Sequence, residues 1–208
     1  VGSEMCIRDR SGTTWSQQAR VQPSDWSTYN NNGDYAGGSV AIDENGSTAV
    51  IGAKGHNGSG GSKADSGAIY VFTRSGTSWS QQQGPIYASD AVAGDNFGES
   101  VAISKDGNTI AVGAPKADPS GTIAGGGSST EAGKVYVFTR DGTTWSQIAQ
   151  YKMANSSSEV IPNAELGSSV AISGDGNIIV GGGPNYNPTY DGGSNFGNCG
   201  AFQVITGT

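Results

Sequence analysis

The chain has 208 residues, 35 of them glycine, with only 14% charged and 34% hydrophobic residues and a formal net charge of −7. No apolar run approaches the twenty or so residues of a membrane-spanning helix, and eleven basic against eighteen acidic residues give no basic stripe to follow nucleic-acid phosphates. Four Trp, eight Tyr and five Phe argue for a packed core rather than disorder, whereas one His and two Cys leave little for a metal or nucleophile cluster.

Residues 1–10 share nothing with the rest of the chain. Val1-Gly2-Ser3-Glu4-Met5-Cys6-Ile7-Arg8-Asp9 resembles a translated sequencing adapter, and Arg10 is one of the two residues that its trailing bases allow. The segment is therefore set outside the fold, as a scar of library preparation. The plain alternative is a short disordered N-terminus. It lacks the apolar stretch of a signal peptide. With Cys6 set aside, Cys199 stands alone and no internal disulfide is available.

From residue 11 onward one unit recurs. Ser39-Val40-Ala41-Ile42-Asp43 returns as Ser100-Val101-Ala102-Ile103-Ser104 and as Ser169-Val170-Ala171-Ile172-Ser173. Each copy continues through a turn into a second apolar run, at 48–53, 109–114 and 178–183. A polar loop then leads to a third run at 68–74, 134–140 and, more weakly, 201–207. A fourth element is built on Trp15, Trp79 and Trp145, which stand 64 and then 66 residues apart. Val, Ile, Tyr, Phe and Thr dominate the runs, and Gly, Asp, Asn and Ser bound them, which is the signature of strands.

Asp106-Gly107 and Asp175-Gly176 between the first two strands, and Ser75-Gly76 and Asp141-Gly142 between the last two, predict tight hairpins; Glu44-Asn45-Gly46 does the same in the first copy. In the third strand Ile69 and Val71 alternate with Tyr70 and Phe72, so both faces are apolar and both need covering. No segment carries a helical period. The expected fold is all-β: about three four-stranded antiparallel blades in an open arc of a β-propeller. A sandwich or trefoil is the alternative, but its strands are normally apolar on one face only. Blade units are expected at 33–83, 94–150 and 163–208, with 11–19 as the last strand of a preceding blade.

Asp95-Asn96-Phe97-Gly98 before the first strand and Gly113-Ala114-Pro115 after the second resemble the FG-GAP repeat, the blade unit of integrin α-subunit heads. Ala36-Gly37 with Gly52-Ala53-Lys54, and Leu166-Gly167 with Gly182-Gly183-Pro184, are degenerate versions. The resemblance covers residues 11–208. It implies a seven-bladed ring of which this is a piece, an extracellular or cell-surface setting, and recognition or adhesion. An isolated arc would bare apolar end faces, an aggregation hazard. Integrin-type blades hold calcium in a carboxylate-rich loop between the first two strands. Here the corresponding turns, at 43–47, 104–108 and 173–177, are short and two of them offer a single carboxylate, so no cofactor or metal is expected; Asp43 and Glu44 leave the first copy as the remaining candidate.

The recurring tryptophans read as core or inter-blade packing, with sugar stacking as the alternative. Tyr70, Phe72, Tyr136 and Phe138 read as core, and Arg74 and Arg140 as solvated strand ends. His56, in a Gly/Ser loop, reads as an exposed bystander, and Cys199 as a small buried residue with no activating partner. No Ser-His-Asp set can be built around a single His, so no catalytic residue is assigned. The loops at 54–66, 115–132 and 184–198 differ between copies and project from one face, where binding commonly occurs. Asp65, Asp118, Glu131, Tyr186, Tyr190 and Asp191 are therefore the ligand-binding candidates. Asn45, Asn57 and Asn155 begin N-x-S sequons, which matter only in a secreted eukaryotic chain. The expected function is non-catalytic recognition of a protein or glycan. The alternatives are the propeller portion of a secreted enzyme whose catalytic groups lie elsewhere, and a structural ectodomain repeat.

Overall fold

The computed structural model describes residues 5–11, 13–25, 33–118, 131–154, 160–187 and 200–207. Thirteen strands occur among them: β1 (Met5–Ser11), β2 (Thr14–Val21), β3 (Ser39–Ile42), β4 (Thr48–Ala53), β5 (Ala68–Ser75), β6 (Ser78–Ile86), β7 (Ser100–Ile103), β8 (Thr109–Ala114), β9 (Lys134–Asp141), β10 (Thr144–Lys152), β11 (Ser169–Ile172), β12 (Ile178–Gly183) and β13 (Ala201–Thr206). A single 3-10 turn, Ser59–Gly61, is the sole helical element among the described residues. The strands form blade 1 (β3-β4-β5-β6), blade 2 (β7-β8-β9-β10), a three-stranded blade 3 (β11-β12-β13) and the hairpin β1-β2. Within each sheet the strands pair antiparallel, and β3, β7 and β11 lie side by side as the first strands of successive blades. The chain is an all-β, partial propeller.

Equivalent strands share one register. Val40 lies opposite Ile51, Val101 opposite Val112 and Val170 opposite Gly181. The hairpins at the outer edge do the same, with Arg74 opposite Trp79 and Arg140 opposite Trp145. The tight turns depend on the positive φ that glycine supplies without steric cost, as at Gly107 (φ 69°).

Residues 5–10 form most of β1. They pair with β2 in the register of the complete blades, with Arg10 opposite Trp15. The reason lies in the partner: β2 is an outer blade strand, and β1 takes up the hydrogen-bonding edge that β5 and β9 occupy in blades 1 and 2.

The core lies between blades, in three layers. Val50, Ile69 and Val71 of blade 1 face Val101, Ile103, Tyr136 and Phe138 of blade 2. Ala111, Val135 and Val137 of blade 2 face Leu166, Ile179 and Ile205 of blade 3, and Val21 caps Ile51, Tyr70 and Phe72 from the other side. Both faces of β4, β5, β8 and β9 are thus covered. Phe97, from the segment between blades, is wholly buried in the first layer and meets Tyr136 edge-on at 5.3 Å and Phe138 at 5.9 Å. Its backbone forms a parallel bridge to Gly67, where a Cβ would lie 1.9 Å from the Phe97 carbonyl oxygen; the close approach requires glycine. Phe97→Ala is expected to cost about 3–5 kcal/mol in urea unfolding. A loss below about 1 kcal/mol, the size of an ordinary substitution, would show that the blades do not depend on this anchor.

Candidate functional site

Each junction between blades is held by main-chain atoms from the loop between second and third strands. Asp65 and Glu131 both adopt positive φ, 52° and 50°. Their carbonyls accept the N–H groups of Asn96 (3.0 Å) and Glu165 (3.1 Å) from the following blade's lead-in segment. The next residues repeat the pattern, with Phe97 N–H donating to Ser66 and Leu166 N–H to Ala132. Behind them a side chain closes the loop: the Asp65 N–H donates to Asn57 Oδ1 (3.2 Å) and the Glu131 N–H to Asp118 Oδ1 (2.7 Å).

Two clefts open at these equivalent places. One, of about 510 Å³, is lined by Tyr35, Lys54, Gly55, Asp65 and Asn96. The other, of about 460 Å³, includes Val92, Asp95, Lys116, Asp118, Glu131 and Asn163. Lys54 pairs with Glu99 across the first junction (2.8 Å), and Lys116 lies 3.8 Å from Glu131 in the second. Asp95 is buried, which pushes its carboxyl above the usual range despite the Val92 N–H it accepts at 2.7 Å. The clefts present a cation beside carboxylates, with amide groups and a tyrosine at the first, and are suited to polar ligands.

The structure therefore brings Asp118 and Glu131 together and places Asp65 at the equivalent junction. Tyr186 lies apart, half-buried against the layer between blades 2 and 3. Tyr190, Asp191, Asn155 and Cys199 lie outside the described residues. Asn45 is exposed at its turn; Asn57 is half-buried, with its amide oxygen engaged by Asp65. Lys54, Lys116, Asp95 and Asn163 are cleft residues that sequence reasoning misses. The lysines do not stand at matching positions of the repeat: Lys54 is two residues beyond Gly52 and Lys116 three beyond Gly113, so the repeat pattern does not single them out.

His56 corrects the expectation of an exposed bystander: it is 1% exposed. Its Nδ1 accepts the Gly58 N–H (3.0 Å), so the proton sits on Nε2, which faces Asp25 Oδ2 at 3.3 Å. Asp25 Oδ1 accepts the Tyr70 hydroxyl at 2.8 Å. Blade 2 repeats this latch with a different third member: Asp90 accepts Tyr136 Oη (2.9 Å) and Lys134 Nζ (2.6 Å). In both, an aspartate from the segment between blades reaches the third strand of the next blade. Burial first, and then the carboxylates, push both tyrosines well above their ordinary value. Ser66, also wholly buried, makes no hydrogen bond to His56; its hydroxyl has no partner among the described residues.

The arginines are likewise not solvated strand ends. Arg74 donates to the carbonyls of Gly46 (2.6 Å) and Asn45 (3.1 Å), and Arg140 to Asn108 Oδ1 (2.8 Å), tying the outer hairpin to the inner turn. Each lies over its tryptophan, 6.0 Å from the Trp79 centroid and 5.4 Å from that of Trp145. The burial of the tryptophans depends on their neighbours. Trp145 is 3% exposed and bonds Gln82 of the preceding blade, Trp79 bonds Gln18 of β2, and Trp15 is 61% exposed. In the turns, Asp43 accepts both Ser47 donors, while Asp106 and Asp175 each accept a serine hydroxyl and an asparagine. Those bonds hold both of these carboxyls below the usual range. Glu44 points away, to Lys105 (2.6 Å).

Asp90 gives a pH signature. Burial raises its carboxyl, but hydrogen bonds from Lys134 and Tyr136 and the lysine charge outweigh it, holding the group below its ordinary value. A depressed folded value stabilises above the unfolded pKa of about 3.9 and is lost as pH falls through it. In thermal melts, the stability gap between wild type and Asp90→Asn should therefore shrink as pH drops below about 4. A gap independent of pH would remove the charged latch.

A family model described as the FG-GAP repeat matches residues 15–72 and 79–138, together more than half of the chain. None of the curated proteins matches it. The repeated register, the Phe97-Gly98 anchor and this match agree, and the chain belongs to the FG-GAP repeat family.

Proposed function

We propose that the chain is a non-catalytic recognition module of an extracellular or cell-surface protein, taking a protein or glycan ligand on the face that carries the junction clefts. FG-GAP repeats form propeller-type modules that are typically extracellular and non-catalytic, and no helix among the described residues is long and apolar enough to cross a membrane. The observation that carries the reading is the repetition of a cleft bearing charged side chains at equivalent junctions, each beside a loop of different length. A rigid scaffold with variable loops at one face is the common arrangement for binding. His56 offers no support for catalysis, since its ring is buried and both nitrogens are engaged.

Asp65→Asn and Glu131→Gln each remove one carboxylate from a cleft while keeping the backbone that clasps the next blade. On an array of glycans and extracellular proteins, the wild-type chain should bind a defined subset. One or both variants should weaken that binding about tenfold or more, equivalent to about 1.4 kcal/mol, with unchanged melting temperature. Blank arrays, or binding indifferent to both substitutions, would overturn the assignment of this face.

A further inference from the structure

The chain contains three Asn-Gly pairs, Asn32-Gly33, Asn45-Gly46 and Asn57-Gly58, of which Asn32 lies outside the described residues. In such a pair the glycine main-chain nitrogen can attack the asparagine side-chain amide, because no Cβ crowds the approach. Two things hold the reaction back. A main-chain amide gives up its proton reluctantly, and a side-chain amide carbonyl is a poor electrophile.

The surroundings of Asn57-Gly58 supply a group against each obstacle. The Gly58 N–H donates to His56 Nδ1 at 3.0 Å, the ring nitrogen that carries no proton, while Asp25 Oδ2 faces the opposite Nε2 at 3.3 Å. A base oriented by a carboxylate thus rests on the proton that must leave. Asn57 Oδ1 accepts the Asp65 N–H at 3.2 Å, a donor placed where negative charge develops when the carbonyl is attacked. The Ser66 hydroxyl, wholly buried and without a partner among the described residues, lies 2.8 Å from where a Gly58 Cβ would stand. It leaves a hydrogen bond to give beside the reacting amide. Asn45-Gly46 is placed differently: the Gly46 N–H donates to the Asp43 carbonyl at 3.1 Å, and Arg74 holds the carbonyls of both residues. A carbonyl oxygen is no base for an amide proton.

We propose that Asn57 is a self-modification site, at which His56 drives closure onto Gly58 to a succinimide that water opens to aspartate or isoaspartate. His56 Nδ1 takes the proton of the Gly58 nitrogen as that nitrogen bonds to Asn57 Cγ. The Cγ–Nδ2 bond then breaks, and the Nδ2 group leaves as ammonia with the proton that His56 returns. Water adds to either carbonyl of the ring. Opening at Cγ leaves a normal aspartate, and opening at the main-chain carbonyl leaves an isoaspartate, with an extra carbon in the backbone. The burial that shuts His56 off from an outside substrate is no obstacle, because the reacting groups are its own neighbours along the chain. Isoaspartate at 57 shifts the acceptor away from the Asp65 amide, so the change is felt at the cleft that Asp65 lines.

Peptide mapping by mass spectrometry tests this on the 208-residue chain aged at neutral pH, native and in urea, with amide, aspartate and isoaspartate forms resolved at positions 45 and 57. Folding ordinarily restrains such closure. Asn57 should instead convert about tenfold or more faster in the native chain than in urea, the low end of what a positioned base contributes, and faster than Asn45 in the same native sample. His56→Gln keeps a donor for Asp25 but offers Gly58 no basic nitrogen, and should slow native conversion at Asn57 about tenfold or more. A histidine that only props the loop predicts the reverse, since loosening the loop frees Asn57 to close. Conversion at Asn57 no faster in the native chain than in urea, or slower than at Asn45, overturns the proposal. So does a His56→Gln rate that is unchanged or raised. Should His56→Gln lose its β circular dichroism, the native-to-urea ratio in the wild-type chain decides alone.

Discussion

A sheet that is apolar on both sides cannot shelter itself, and this constraint organises the molecule. Blade 1 buries Tyr70 and Phe72 on one side and Ile69 and Val71 on the other, so half of its strand β5 depends on the preceding unit and half on the next blade. The dependence is graded along the chain. Trp145 is buried because a complete blade lies beneath it, Trp79 is half-covered by a hairpin, and Trp15 is open. The same residue type in the same register thus takes three levels of burial, set by neighbours and not by its own strand. Such a chain behaves as an array of nearest-neighbour interfaces.

Apolar layers supply most of the driving force but are indifferent to sliding, and the polar contacts between blades fix the alignment. The aspartate latches are the clearest case. Asp25 and Asp90 each reach a buried tyrosine hydroxyl on the next blade, and each uses its second oxygen on a cation or a ring nitrogen. A buried phenol left unpaired would cost far more than the net gain of pairing it, so the latch penalises misalignment more than it adds stability. That the third partner is His56 in one junction and Lys134 in the other, coming from different points along the chain, shows that the aspartate–tyrosine pair is the fixed part.

The strands and their order are legible in the sequence because hairpin turns and alternating apolar faces are local properties. Ser39 to Ile42 and its two counterparts announce a repeat by themselves. The contacts that exist only once blades are stacked leave no such trace. Arg74 and Arg140 look like solvated ends in a linear pattern, since their carbonyl and asparagine partners lie about thirty residues away along the chain. His56 sits in a stretch of glycine and serine, a composition of exposed loops, yet Asp25 and two tyrosine rings from different segments close over it. The ligand candidates obey the same rule. Asp65, Asp118 and Glu131 can be found because they flank variable loops, whereas Asp95 and Asn163, which complete the second cleft from the neighbouring segments, carry no local signal.

The hydrogen bonds from the Asp65 amide to Asn57 and from the Glu131 amide to Asp118 staple loop ends that are eight residues apart in one copy and thirteen in the other. Once its base is pinned, a loop's length is felt by the scaffold only through the slowly growing entropy of closing it. The module therefore separates two problems that most proteins must solve together: the rim can be lengthened or rewritten without renegotiating the foundations on which it stands.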